Sequence, residues 1–344
     1  MNIFETLKRL SEANGVAGDE NSAAKIALEF LKEYDPFAGV DNHGSVTGFI
    51  GEYNDGRPTI LLDAHIDEIG LIVTYIDDKG FIKAEPCGGM DRRVLPAQAV
   101  TVHGKSPVKA VVCSLPLHVK KESELALKAD DIWIDTGFSK DELLRHVSLG
   151  DRITINSELT RLFNDNVCGR ALDNRAGVTA VLYALSLLKN SEIAFNIVVA
   201  FSTQEEVGCR GARISAYNSD AEYSIVVDVS YSNSPGVPKH KSGKLGGGPM
   251  IGIAPTLNRE MGDELKKFAN EWEIDYQLEI MNRDTGGTNA DEISLIKGGV
   301  RTALVSIPLR YMHMPVETCS LKDIEAVGHL IAAFIEGYKT INNE

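Results

Sequence analysis

Apolar residues along this 344-residue chain follow two different rhythms. Toward both ends, short unbroken apolar runs alternate with stretches of helical spacing. Ile3, Phe4, Leu7 and Leu10 fit one helical face, and residues 22–34 (SAAKIALEFLKEY) read as a second helix. TILLDA from Thr59, NIVVAF (196–201), YSIVVDV (223–229), YQLEIM (276–281) and RTALVSIPL (301–309) have the length and branched composition of buried strands. Helices are predicted for AGVTAVLYALSLL after Asp173, for 258–272 and for ADEISLIKGG. Ser320 opens a last helix, with Asp323 three residues on as its capping partner. This alternation predicts a three-layer α/β/α unit with a mostly parallel sheet.

The rhythm changes between residues 71 and 163. LIVTYID, GFIKAEP, QAVTVHG, KAVVCSL, DIWIDTG and DRITINS are short strand-like runs separated by Gly, Pro, Asp and Ser, and only SKDELLRHV suggests a helix. Short strands at such spacing predict a small β-barrel or sandwich. The expected organisation is an α/β domain in two parts, 1–70 and 164–344, interrupted by an inserted β domain at 71–163.

Charge and cysteine usage narrow the classes. The net charge of −14 sets up a field that repels nucleic acid and anionic membranes. The five cysteines are scattered without a CxxC pair, which argues against a disulfide framework and a thiolate zinc site. The first residues carry no apolar signal core, and no run is long enough to span a bilayer. The expectation is a cytoplasmic protein.

The candidate chemistry lies in five short motifs. His65 and Asp67 (AHIDEIG) follow TILLDA, and Glu205 and Glu206 (STQEEVG) follow NIVVAF. Asp228 ends YSIVVDV, His313 (RYMHMPVE) follows RTALVSIPL, and Asp173 (CGRALDNRAG) stands at a helix start. In an open α/β sheet the carboxyl ends of the strands are where ligands gather, so these residues could converge in one cleft. Two imidazoles with several carboxylates suit zinc, cobalt or manganese. A carboxylate can bridge two metals, which lower the pKa of a water. Adjacent glutamates on an extended strand end point in different directions, so one can ligate while the other serves as general base. Asp67 could bind the His65 ring and set its tautomer. Each motif alone has a plainer reading: a polar pair, a solvated EE face, a helix cap at Asp173, a turn at Asp228, a loop histidine. Their joint order at strand ends carries the argument. His43, His103, His118, His146, His240 and His329 have no comparable setting and read as structural. The glycines of SGKLGGGPM and DTGGTNADE lack phosphate-loop spacing and read as tight turns near the cleft.

These motifs, with GGMDRRVLPAQAV, VVDVS, DTGGTNADEISL and RYMHMPVETCSLKDI, resemble the M42 metallopeptidases, the tetrahedral aminopeptidases that include glutamyl and leucyl aminopeptidases. The resemblance spans almost the whole chain. It implies an aminopeptidase acting on short peptides with two divalent metal ions per subunit, zinc or cobalt, with manganese possible. It implies that His65 and Asp228 bind one metal, that Glu206 and His313 bind the other, and that Asp173 bridges them. Glu205 would be the general base, Asp67 would orient His65, and the Asp173–Asn174 bond would be cis. The inserted domain would serve dimerisation, within a homo-oligomeric dodecamer built from dimers. One departure concerns LGGGP, where many relatives carry a Lys and this chain has Gly247. Two alternatives stay open: another co-catalytic metal hydrolase, such as a deacylase or a carboxypeptidase using Arg310, and an inactive scaffold of the same fold.

Overall fold

The computed structural model describes residues 1–114, 131–189, 191 and 193–338. Leu115, the last residue of the KAVVCSL run, and His118 lie outside the described residues. The chain opens with α1 (Ile3–Glu12), α2 (Asn21–Leu31), β1 (Gly39–Val40), β2 (Val46–Ile50) and β3 (Thr59–His65). Next come β4 (Gly70–Ile76), β5 (Ile82–Cys87), β6 (Ala99–His103), β7 (Pro107–Val112), β8 (Trp133–Asp135), α3 (Lys140–Leu143) and β9 (Arg152–Ile155). The remainder begins with β10 (Thr160–Arg161), β11 (Asn166–Gly169), α4 (Leu172–Leu188), β12 (Asn196–Ser202), α5 (Arg210–Ser219), β13 (Tyr223–Tyr231) and β14 (Met250–Ile253). It closes with α6 (Arg259–Glu271), β15 (Gln277–Ile280), α7 (Asn289–Ile293), β16 (Arg301–Leu309), β17 (Glu317–Ser320) and α8 (Leu321–Gly337).

The large sheet has the order β1-β2-β12-β3-β13-β16-β14-β15. Its centre, β12-β3-β13-β16, is parallel, and antiparallel joins occur toward the edges. Successive side chains on a strand point to opposite faces. On β3, Ile60 and Leu62 pack into one core while Leu61 packs into another, and on β13 Ile225 and Val227 are divided from Val226 in the same way. The first core receives α1, α2, α4, α6 and α8; the second receives Ala212 and Ala216 of α5 and Ile293 of α7. The sheet is therefore covered on both faces, which explains its unbroken apolar strands.

Strands β4 to β9 form a closed barrel in the order β4-β5-β8-β7-β6-β9. Here one face only is buried, and the strands alternate: Val108, Ala110 and Val112 point inward on β7 between exposed residues. A third, small sheet, β10-β11-β17, joins the segment after the barrel to the strand before α8 and pairs Gly169 with Glu317.

Several local expectations change. Helix α7 ends at Ile293 instead of continuing through KGG, where Lys297 and Gly299 take left-handed backbone conformations. Strand β13 continues to Tyr231, so Asp228 lies inside it and not at its end. Helix α5 and strands β1, β2, β10, β11, β14 and β17 have no counterpart among the predicted elements. Ser320 does cap α8, accepting the Lys322 N–H at 3.3 Å. Asp323 is not its capping partner. The buried Asp323 carboxylate instead accepts the Gly246 N–H at 2.8 Å and the Gly248 N–H at 2.9 Å, clamping the LGGGP turn to α8. Gly248 has φ +82, and a Cβ there would stand 1.8 Å from the Asp275 carbonyl oxygen.

Asp323→Ala would leave the buried Gly248 amide and the more exposed Gly246 amide without this acceptor. We expect a loss of about 1–3 kcal/mol of stability, from the usual cost of one unpaired buried donor. Urea unfolding monitored by circular dichroism should show a lower midpoint at unchanged slope. A midpoint equal to wild type would mean that the clamp contributes nothing.

Candidate metal centre

In the sheet, Ser202 of β12 lies opposite His65 of β3, and Val226 of β13 opposite Asp63. The segments leaving these strand ends consequently emerge side by side. His65 is the last residue of β3 and is almost fully buried. Glu205 and Glu206 sit in a turn directly after β12, where Gln204 takes φ +58, and not on an extended strand end. The Asp67 carboxylate holds that turn by accepting the Glu205 N–H at 2.9 Å and the Glu206 N–H at 3.1 Å. His65 Nδ1 lies 3.2 Å from the main-chain carbonyl of Asp67 and 3.5 Å from its carboxylate.

Asp173 enters from the start of α4. The Asp173–Asn174 bond is cis, and Asp173 itself is not helical (φ −78, ψ 102). Helix capping falls to Asn174, whose Oδ1 accepts the Gly177 N–H at 3.1 Å while its amide donates to the Val227 carbonyl at 2.7 Å. The Asp173 carboxylate is thus left to face the histidines: Oδ1 is 3.1 Å from His65 Nε2 and Oδ2 is 3.3 Å from His313 Nε2. Asp228 Oδ1 lies 3.7 Å and Glu205 Oε2 3.9 Å from His65 Nε2, and Glu206 Oε2 lies 3.4 Å from His313 Nε2.

Two donor groups result among the described residues, His65/Asp173/Asp228 and Asp173/Glu206/His313. Within each, the donor atoms lie within 4.8 Å of one another, and Asp173 belongs to both. Nitrogen and oxygen ligands at the usual bond lengths around one tetrahedral zinc-type ion stand roughly 3.3 Å from each other. The histidine–carboxylate separations of 3.1 to 3.7 Å within the two groups fit that spacing.

The electrostatics of the protein groups point the same way. Burial, reinforced by Asp228, Glu206 and Asp173, pushes Glu205 up to about 9 against the pull of His65. Burial raises Glu206 to about 7, opposed by its hydrogen bond to His313, and it also raises Asp228. Hydrogen bonds to Asp173 and Glu206 lift His313 to about 11. His65 is also held well above its ordinary value: burial opposes the charge, but Glu205, Asp173, Asp228 and Asp67 outweigh it. The two imidazoles in turn bring Asp173 below the usual carboxylate range despite its burial. The carboxylates outnumber the imidazoles, so the donor set suits divalent cations.

Other residues were not legible as part of this site. Glu317 is buried at the start of β17 and accepts the Asp173 N–H at 3.0 Å and the His313 N–H at 2.9 Å. It fixes the backbone on both sides of the donor pair, and His313 there takes φ +62. Its only sequence signal is a position four residues after His313. Behind His65, Glu68 pairs with Arg170 and accepts the Gly15 N–H, and the fully buried Arg175 donates to the Leu10 carbonyl at 2.6 Å. A cleft of about 850 Å³ opens over the centre, lined by His65, Asp173, Glu205, Asp228, His313 and the loop Lys239–Ser242. His240, read as structural, therefore stands on the cleft wall. Gly89 of the GGM segment also reaches it: a Cβ there would come within 3.0 Å of His313 Nδ1. Arg310, the cation a carboxypeptidase reading would need, donates its guanidinium to the Asn233 carbonyl and side chain. Among the described residues no helix is long and apolar enough to cross a membrane, and the five cysteines are free.

A mostly parallel α/β sheet with mixed imidazole and carboxylate donors at its carboxyl edge is the framework of a metal-dependent hydrolase. More particularly, residues 44–330 match the family model described as M42 glutamyl aminopeptidase, and the chain belongs to that metal-dependent peptidase family. It is accordingly an aminopeptidase, a hydrolase acting on peptide bonds. The chain is 34% identical over 336 residues to a putative aminopeptidase of Acetivibrio thermocellus, covering 96% of this chain and 98% of the relative. It superposes with a TM-score of 0.92 and 30% identity on an aminopeptidase from the archaeon Desulfurococcus kamchatkensis, covering 99% and 98% of the two chains. The TET1 peptidase of Pyrococcus horikoshii, described as able to assemble into a tetrahedron or a large octahedral shell, matches with a TM-score of 0.87 and 29% identity over 98% of this chain and all of its own.

Glu317→Ala would strip the acceptor from the buried Asp173 amide and the half-buried His313 amide, which flank the donors. The expected cost is about 2–4 kcal/mol, read as a lower urea midpoint. Stability within about 0.5 kcal/mol of wild type, the usual range for an inconsequential surface change, would show that Glu317 does not hold these segments.

Proposed function

We propose that this chain removes N-terminal residues from short peptides at a dinuclear metal centre. The observation that carries this reading is the Asp173 carboxylate, with one oxygen toward His65 and the other toward His313. His65, Asp228 and Asp173 would hold one cation, and Asp173, Glu206 and His313 the other. Two divalent cations there, zinc or cobalt and alternatively manganese, would supply Lewis acidity to a water and to the scissile carbonyl. Glu205 is outside both donor groups yet lines the cleft; the charge of two bound cations would offset the burial and neighbouring acids that raise it, leaving its carboxylate available as general base. It takes a proton from the attacking water at Oε and returns it to the departing amine. Asp67 sets the position of Glu205 by accepting its backbone N–H and holds the His65 ring. The excess of carboxylates also provides a place for the substrate's free ammonium group.

In this reading residues 1–70 and 164–344 form the catalytic domain, and 71–163, containing the closed barrel, form an inserted dimerisation domain. Dimers would build a dodecamer that admits peptides by size. The shell formed by the Pyrococcus horikoshii peptidase supports this. Free cysteines fit a cytoplasmic setting.

Glu205→Gln should keep both metals while turnover of an aminoacyl p-nitroanilide falls about 10²–10⁴-fold, the usual contribution of a general base. Near-normal turnover would remove Glu205 from that role. Asp173→Ala should lose metal more completely than any other single ligand change. Elemental analysis after dialysis reads this directly, and two metals retained per chain would refute bridging.

A further inference from the structure

One ionisable group on the cleft wall has no part in the reaction just described. Glu279 lies on β15, the edge strand of the large sheet, and lines the same cleft as His65 and Asp173. Ser230 Oγ donates to one of its carboxylate oxygens, and Ser306 Oγ donates to the other at 2.9 Å. Both partners are neutral: burial raises the Glu279 carboxyl above its ordinary value while the two serine hydrogen bonds favour its charged form, so the group has no cationic partner of its own. Ser306 lies opposite Asp228 in the sheet register, and Ser230 is two residues beyond Asp228 on the same face. A two-residue step along a strand is roughly 6.5 Å. That is comparable to the reach of a lysine or arginine side chain from its Cα. A peptide whose first carbonyl lies at the Asp173 and Glu205 end of the cleft can therefore extend its first side chain to Glu279. Met250, opposite Ser306, and Leu304 line the cleft on the way and suit an alkyl stem.

The positive groups of the cleft lie elsewhere. Lys239, His240 and Lys241 are exposed on the rim, where solvent screens them. An acidic side chain entering the floor would meet Glu279 with Asp228 close by; a basic one would find the counter-charge the serines do not provide.

We propose that Glu279 is the residue that reads the substrate's first side chain, and that this enzyme prefers N-terminal lysine or arginine to leucine and glutamate. The proposal rests on the aminopeptidase centre described above. The test uses the full-length, metal-loaded chain with lysyl, arginyl, leucyl and glutamyl p-nitroanilides. Wild type should show its highest kcat/KM with the two basic substrates and its lowest with glutamyl. Glu279→Gln should lower the lysyl-to-leucyl ratio of kcat/KM at least tenfold, chiefly through KM. Glu279→Lys should raise the glutamyl-to-lysyl ratio above that of wild type. A wild type that favours leucyl or glutamyl substrates would overturn the proposal, as would a lysyl-to-leucyl ratio unchanged within twofold in Glu279→Gln. Because the wild-type panel stands without any variant, a misfolded mutant cannot shield the idea. If no aminoacyl substrate is hydrolysed, the aminopeptidase centre itself fails, a result distinct from hydrolysis with the wrong preference.

Discussion

The organising constraint of this molecule is the crowding of buried carboxyl groups around Asp173. Asp67, Asp173, Asp228 and Glu317 are buried, and Glu205 and Glu206 stand beside them. Like charges at a few ångströms disfavour ionisation, and burial adds a desolvation cost. A chain tolerates such a cluster only if the surrounding structure fixes it and counter-charges repay it. The fixing is visible in the hydrogen bonds. Asp67 grips the Glu205–Glu206 turn, Asn174 ties the start of α4 to β13, and Glu317 ties the backbones of Asp173 and His313 together. Within the cluster the protein's own counter-charge is the two imidazoles, His65 and His313; two arginines lie farther back, against Glu68. Arg170 pairs with Glu68, and Arg175 is held against α1 with its Nε and Nη2 free of hydrogen-bond partners. Burial brings Arg175 down to about 10, still far above neutral pH, so it stays cationic. Helix α1 is thereby tied to the start of α4 through Arg175.

How much of this was legible in the sequence depends on whether one residue's spacing carried the information. The central strands were legible because burial on both faces leaves no polar alternation, as in TILLDA and YSIVVDV. The barrel was legible because its strands alternate and its turns carry Gly, Pro and Asp. Helix α5 was not, because RGARISAYNS rests on Gly211, Ala212 and Ala216 instead of a broad apolar stripe, so its period is faint. Asp323 shows a different limit. A carboxylate three residues after a capping serine satisfies the capping pattern, but the same side chain can reach a turn 75 and 77 residues away in sequence, and here it does.

The site divides along the same line. His65, Asp173, Glu205, Glu206, Asp228 and His313 share one cleft, as the clustering of motifs at strand ends implied. That inference used only topology, since parallel neighbouring strands must deliver their carboxyl ends to the same edge. The residues that it missed act through backbone amides. Glu317 accepts two N–H groups, and nothing in a linear sequence distinguishes an acid that bonds main chain from one that meets solvent. Asp67 illustrates the intermediate case: its proximity to His65 followed from the two-residue spacing, whereas its hold on the Glu205–Glu206 turn depends on the long-range pairing of β3 with β12.

The two imidazoles also differ in a way that only packing determines. His65 ends a fully buried strand, and 1% of its side chain is exposed; His313 sits in a loop with 33% exposed. The cleft is thus more open on the His313 side. On that side Gly88 and Gly89, from the loop after β5, close against Glu206 and His313, where a Cβ at position 89 would crowd the ring. The barrel supplies no donor to the centre, yet its loop forms part of the wall beside the more open imidazole. The donor geometry and the barrel position are consequently linked through a contact that glycine keeps uncrowded. Any displacement of the barrel relative to the sheet would be felt first at His313 and Glu206, while His65 and Asp228, anchored within β3 and β13, would remain in register.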